Sequence, residues 1–274
     1  MKSESPLFQG SRIVCQLDGH IAQVRLNRPE KMNGLDLAMF RETLECARRI
    51  RQQRQIRVVI LAGNGHAFCA GLDFKAVAGD ATMIPKLLIK WPWSKANLAQ
   101  KIALVWRDLP VPVIAALHGC CFGGGLQMAL AADFRFAHPD TRLSIMEIKW
   151  GLIPDMSILT SLTTLTRQDI AKELTMTGRE FSAAEALQYG LLTAVDEQPL
   201  ERAQQLAEKI AAQSPNTVVA AKRLFNQGWK LSDRAALRLE RWIQYGLLGR
   251  ANQKIAMHNG LTRDPAKRKP FIDR

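Results

Sequence analysis

Two stretches of small residues, each running out of an apolar strand, could do chemistry with backbone atoms alone. The first is Gly63-Asn64-Gly65-His66-Ala67-Phe68-Cys69-Ala70-Gly71-Leu72-Asp73, after the apolar run 56–61. The second is His118-Gly119-Cys120-Cys121-Phe122-Gly123-Gly124-Gly125-Leu126, after the run 111–117. Small residues let a backbone approach a ligand closely. If each turn opens a helix, the first helical N–H groups are left unpaired, with the positive end of the dipole behind them. Two such ends converging on one carbonyl oxygen would stabilise negative charge there, as an oxyanion hole. Either loop alone is better read as a tight strand-to-helix turn; the two together favour the site. Neither is a P-loop, since no Gly-Lys-Ser/Thr follows, and neither has GxGxxG spacing.

The elements that must carry these loops follow from periodicity. Segments 12–17 and 20–26 are β-rich and flank Asp18-Gly19, a hairpin turn dipeptide. Apolar residues then recur at Leu37, Phe40, Leu44, Ala47 and Ile50, which is helical spacing. Segment 134–137 returns as a strand after a small-residue helix at 126–132. Ser182-Ala183-Ala184-Glu185 has the form of a capping box, with Gly190 closing the helix. Segments 199–213 and 215–227 each open with the proline that helix starts tolerate, and 234–248 is a further helix. The fold class is α/β, organised as a core over residues 1–197 and a helical C-terminal region over 198–274.

The charge of +13 would suit nucleic acid, an acidic surface or a polyanionic small molecule. The basic segment 263–274 lacks the interleaved aromatics of a single-strand platform, and no nucleic-acid motif is present, so nucleic acid is the less favoured partner. No run approaches the ~18 apolar residues of a membrane span, and the first ten residues lack the apolar centre of a secretory signal. Five cysteines without a CxxC pair argue against disulfides or zinc and for a reducing, cytoplasmic setting. Cys69 is read as a small buried residue rather than a reactive thiol. His66 and His118 lack the companions of a metal site and are read as structural, so no metal is expected.

The segments LNRPEKMNGLD, FCAGLDF, HGCCFGGGLQMALAADFRFA, MEIKWGLIPD and TGREFSAAEALQYGLLTAVDE resemble, in order, the motifs of the crotonase (enoyl-CoA hydratase/isomerase) superfamily. The resemblance runs from about Arg12 to the end of the chain. It implies a crotonase-like spiral of ββα units, a helical C-terminal trimerisation region, and a homotrimer or a dimer of trimers. It also implies an acyl-CoA thioester substrate from fatty acid metabolism. No separate cofactor is expected, because coenzyme A is part of the substrate. The family's oxyanion donors fall on Leu72 and Gly124. By the same resemblance, Arg28 and Lys31 lie near the nucleotide half of coenzyme A, and the backbone at Ala67 and Ala70 lies near its adenine and pantetheine. Trp91, in Trp91-Pro92-Trp93, falls where the family builds its acyl pocket. Surface charge for Arg28 and helix packing for Trp91 are the bland alternatives.

Proton-transfer groups depart from the hydratase pattern. The family's two glutamates fall on Gln127 and Glu147, and an amide cannot accept and return a proton, although it can hold water or bind Glu147. Asp155 supplies a second carboxylate, at a position that the dienoyl-CoA isomerase branch uses together with the one at Glu147. That branch also has an aspartate at the Gln127 position, so the match is incomplete. Asp155 could instead be a helix N-cap, and Glu147 a surface charge. Isomerisation of an unsaturated acyl-CoA through Glu147 and Asp155 is favoured slightly over hydration or dehydration (a lyase reaction) through Glu147. A non-catalytic crotonase-fold protein that binds a partner such as RNA is the remaining alternative.

Overall fold

The computed structural model describes residues 6–80 and 82–274; residues 1–5, half of the segment read for a secretory signal, and residue 81 lie outside it. Ten strands occur among the described residues. A seven-stranded sheet has the order β1-β2-β3-β4-β5-β7-β10. Its members are β1 (Phe8–Gln9), β2 (Ile13–Asp18), β3 (Ile21–Leu26), β4 (Val58–Gly63), β5 (Val113–Leu117), β7 (Phe134–Ala137) and β10 (Ala194–Val195). The first three strands are antiparallel and the remainder run parallel from β3 onward. A second sheet joins β6 (Cys120–Phe122), β8 (Arg142–Ser144) and β9 (Glu180–Ser182).

Successive strand–strand–helix units generate this layout. In one, β5 leads through β6 into α5 (Gly124–Leu130) and so feeds one strand to each sheet, whereas β2 and β3, ahead of α1 (Leu37–Gln52), both stay in the larger sheet. The central parallel strands β4 and β5 are apolar and buried at every position because both sheet faces are covered there. Val59, Leu61, Val113, Ala115 and Leu117 face the main core. Their alternates Val58, Ile60, Ala62, Ile114 and Ala116 face a second core completed by Ala203 and Ala207. Those two alanines belong to α9 (Pro199–Ala211), so the first helix of the C-terminal segment closes the back of the sheet.

The remaining helices are α1 (Leu37–Gln52), α2 (Phe74–Gly79), α3 (Met83–Leu88), α4 (Leu98–Arg107), α6 (Ile158–Leu165), α7 (Gln168–Thr177) and α8 (Ala183–Gln188), followed by α10 (Pro215–Gly228), α11 (Asp233–Leu247) and α12 (Ala251–Leu261). The stripe read on α1 is wider than its apolar spacing: Met39, Thr43 and Cys46 are buried with Phe40, Ala47 and Ile50, while Leu37 and Leu44 lie at its margin. The capping box at Ser182 and Glu185 is present, with both reciprocal hydrogen bonds. Asp155 does not cap α6; Ser157 holds that position. No helix among the described residues is long and apolar enough to cross a membrane.

α10 is tied to the sheet by one buried ion pair. Lys222 Nζ lies 2.7 Å from Asp133 Oδ2 and also donates to the carbonyls of Val111 at 2.9 Å and Trp106 at 3.3 Å. Replacing this lysine leaves a largely buried carboxylate without its counter-charge. Lys222→Ala should therefore lower unfolding free energy by about 3 kcal/mol, read as a reduced denaturation midpoint. An unchanged midpoint would show that α10 is held by apolar packing alone.

Candidate active site

The two small-residue loops meet. Cys69 and Cys121 form a parallel bridge in which Cys69 N–H donates to Cys120 O at 3.1 Å and Phe122 N–H to Cys69 O at 2.9 Å. Gly71 has φ +90°, and a Cβ placed on it would lie 2.9 Å from Phe122 O and 3.7 Å from Gly123 Cα. Only glycine allows that approach. His118 adds a further link, its Nε2 lying 2.9 Å from Gly65 O. Among the described residues no group of three or more acidic, His or Cys side chains is placed to hold a metal ion.

A second bridge governs the donor in the first loop. Leu35 N–H donates to Gly71 O at 2.8 Å, and Asp73 N–H donates to Leu35 O at 3.0 Å. Leu35 thereby occupies the groups on both sides of Leu72, and in such a bridge the amide of the middle residue points away from the partner strand. Leu72 N–H has no acceptor among the described residues. Gly124 is the first residue of α5, preceded by Gly123 at φ +50°, and no side chain caps the helix. Its N–H is one of those a helix start leaves free. Ala70 N–H is not available in the same way, since it donates to Met32 O at 2.9 Å, and Ala67 O accepts from Asn33 Nδ2 at 2.8 Å.

Glu147 comes to the glycine run from a 3-10 turn, Glu147–Trp150, that follows β8. A Cβ on Gly123 would lie 3.2 Å from Glu147 Oε1. Gln127, buried on α5, donates from Nε2 to Glu147 Oε1 at 2.6 Å and accepts at Oε1 from Met156 N–H at 2.9 Å. One amide thus joins the glutamate to the backbone just after Asp155. Glu147 Oε2 is buried without a hydrogen-bond partner. Burial pushes the Glu147 carboxyl above its ordinary range, hydrogen bonds from its own backbone N–H and Gln127 oppose this, and the nearby Asp155 charge adds to it. Burial raises Asp155 as well. Glu147 is therefore no surface charge; it is a largely desolvated carboxyl with one oxygen unpaired.

Other expected residues sit differently. Arg28 is not a solvated charge: its side chain is 11% exposed and pairs with Asp73 at 2.8 Å. Lys31 is exposed at the end of the turn Pro29–Lys31 and makes no ion pair among the described residues. Trp91 is 64% exposed and stacks on Trp93, and the structure does not bring it into the cluster around Glu147. Cys69 is buried, and burial holds its thiol at about 12, so it is no nucleophile. All five cysteines are free and buried.

A feature missed in the sequence is the stack of Phe74 on Trp150, with centroids 3.9 Å apart and planes at 24°. Phe74 lies two residues past Leu72, and Trp150 lies three past Glu147, so the stack ties the loop that carries Leu72 to the turn that carries Glu147. The aromatic in MEIKWGLIPD, one helical turn from Glu147, was the available signal. Its partner is fixed only by tertiary folding.

A model of the enoyl-CoA hydratase/isomerase family matches residues 16–273. The chain belongs to the enoyl-CoA hydratase/isomerase family. It is 35% identical over 211 residues to the mitochondrial Delta(3,5)-Delta(2,4)-dienoyl-CoA isomerase of Rattus norvegicus, a match that covers 74% of this chain. That match spans only 64% of the rat protein's length. With the (E)-benzylidenesuccinyl-CoA hydratase of Thauera aromatica, identity is 32% over 214 residues, covering 77% of this chain and 80% of that protein. Among solved structures, an enoyl-CoA hydratase from Bacillus anthracis superimposes with a TM-score of 0.86 at 31% identity, covering 96% of this chain and 99% of that one. The α/β spiral expected from the motifs is thus the family's fold.

The glycine at position 71 gives a direct check on the site. Gly71→Ala combines a positive φ with a backbone clash, whereas Gly151→Ala, at φ +67° with no atom within 4 Å, has only the backbone strain. Strain of this kind costs about 1–3 kcal/mol. Thermal unfolding should show the larger loss for Gly71→Ala, accompanied by loss of acyl-thioester binding in that variant alone. Equal losses of stability with binding intact would mean that the two loops need not touch.

Proposed function

We propose that this protein isomerises double bonds in unsaturated acyl-CoA thioesters. Leu72 and Gly124 N–H groups stabilise the enolate, and Glu147 and Asp155 move the proton. The observation that carries this reading is the buried, unpaired Oε2 of Glu147, set beside a second raised carboxylate and held by a neutral amide. Shifting a conjugated system needs one group to take a proton next to the thioester carbonyl and another to return one farther along the chain. Negative charge passes meanwhile onto the thioester oxygen, where each backbone donor is worth about 3–4 kcal/mol in the transition state. The similarity to a dienoyl-CoA isomerase supports this reading.

Gln127 weighs against two-carboxylate hydration, because its amide is already committed on both sides and cannot shuttle a proton. Hydration or dehydration through Glu147 alone is the second reading, favoured by the similarity to the Thauera hydratase. Both readings need no cofactor beyond the coenzyme A of the substrate. We further infer a trimer or dimer of trimers: α10 and α11 leave Phe225, Trp229, Leu237, Trp242 and Tyr245 exposed, an apolar face that subunit contact would cover. The free, buried cysteines fit a reducing compartment such as the cytoplasm.

Incubation with 2-enoyl-, 3-enoyl- and 3,5-dienoyl-CoA separates the readings. Isomerisation leaves mass unchanged and shifts the ultraviolet chromophore, whereas hydration adds one water. Glu147→Gln should abolish turnover and Asp155→Asn should reduce it strongly; full activity in Asp155→Asn on every substrate would overturn the two-carboxylate proposal. The pH profile tests the same pair. With one carboxylate ionised and the other protonated in the active form, rate should rise through a lower and fall through an upper apparent pKa. Burial places both limbs above where solvent-exposed carboxylates titrate. A profile that only rises would point to a single base.

A further inference from the structure

Arg28 stands in a network of alternating charge that embraces the bridge between Leu35 and Leu72. Its Nη1 donates to Gly34 O at 3.0 Å, pairs with Asp73 Oδ2 at 2.8 Å and faces Asp36 Oδ2 at 3.6 Å. Glu30 lies at the edge, 3.9 Å from Nε. Asp36 also accepts from Arg12 Nε at 2.8 Å. Both aspartates cap helices: Asp36 Oδ1 accepts from Met39 N–H at the start of α1, and Asp73 Oδ1 from Ala76 N–H at the start of α2. Burial alone would raise the Asp73 carboxyl, but the hydrogen bonds from Ala76 N–H and Arg28 hold it below its ordinary value.

These contacts fall on both sides of the bridge that aims the Leu72 amide. Gly34 and Asp36 flank Leu35 on one strand, and Asp73 follows Leu72 on the other. One guanidinium nitrogen, Nη1, therefore staples the two strands, donating to Gly34 O on one while its charge pairs with Asp73 on the other. The same contacts use up its charge. A phosphate approaching Arg28 would meet Asp36 and Asp73 already within 4 Å of it.

We propose that Arg28 is a positioning residue for the Leu72 oxyanion donor, acting through Asp73 and the Leu35 bridge, and not a contact for the phosphates of coenzyme A. This rests on the acyl-thioester reading of the site but not on which reaction follows. A loosened staple lets the Leu72 amide turn from its aim, which weakens charge stabilisation in the transition state more than substrate binding. The loss appears in kcat, and it is independent of the nucleotide.

The test uses Arg28→Met and Asp73→Asn in the full chain. Asn caps helices about as well as Asp, so the second variant keeps its cap and serves if the first fails to fold. Each is assayed with a dienoyl-CoA and with the matching dienoyl-pantetheine thioester, which lacks the nucleotide phosphates. Each is also titrated with an unreactive conjugated acyl-CoA, whose red shift on binding reports polarisation of the thioester carbonyl. Both variants should lose kcat by about tenfold or more, a part of the 10²–10³ that removal of a whole oxyanion donor costs. The loss should be equal on the two thioesters, with a smaller red shift. A raised KM for the CoA substrate alone, with kcat and red shift retained, would identify Arg28 as a phosphate contact and overturn the inference. Wild-type kcat and red shift in both variants would also overturn it. If the wild-type protein polarises the bound thioester yet isomerises nothing, the isomerase reading fails, while the red-shift comparison still decides the role of Arg28.

Discussion

Backbone N–H groups inside a fold almost always find an acceptor, and the structure is arranged so that the amide of half-buried Leu72 has none among the described residues. Leu35 takes the carbonyl before it and the amide after it, which leaves the Leu72 amide aimed away from the bridge. Everything else in the site depends on holding that loop still. The parallel sheet brings the ends of β4 and β5 side by side, and the bridge between Cys69 and Cys121 locks the two loops that leave them. Gly71 then permits the donor loop to approach the backbone of Phe122 and Gly123, next to the free amide of Gly124. No side chain could substitute for these donors, because their direction is set by backbone pairing.

Around this fixed pair the protein controls charge by burial and by one neutral contact. A carboxylate in a low-dielectric site gains proton affinity, and two close together gain more. Glu147 and Asp155 show that tendency in common. A third carboxylate at position 127 would add like charge against Glu147. The amide of Gln127 instead donates to Glu147 and accepts from the Met156 amide, which orients the glutamate and leaves its other oxygen free. Donor and acceptor of that side chain are both satisfied, as a buried amide requires. The result is one carboxyl oxygen left unpaired beside a second buried carboxyl, the arrangement on which the proposed proton transfer rests.

Much of this was legible in the chain. Strand and helix positions follow from periodicity because the sheet is buried on both faces and the helices on one, and the two loops are visible as runs of small residues. Glu147, Asp155 and Gln127 are nameable from motif position. Their relations were not legible. That Gln127 reaches both Glu147 and Met156 depends on segments twenty and twenty-nine residues apart meeting, which no local pattern encodes. The surroundings of Arg28 were hidden for a related reason: nothing local in its loop says that the helix-capping aspartates of α1 and α2 fold against it. β6 was hidden within the second loop, since a three-residue strand between glycines has no periodicity to read.

The central claim is that the Leu72 and Gly124 amides bind the thioester oxygen. Isotope-edited vibrational spectroscopy of an acyl-CoA labelled with ¹³C at the thioester carbonyl tests it most directly. Two hydrogen bonds from fixed amides should lower the carbonyl stretching frequency on binding, relative to the same thioester in water. A bound thioester whose carbonyl frequency equals or exceeds the value in water would contradict the account.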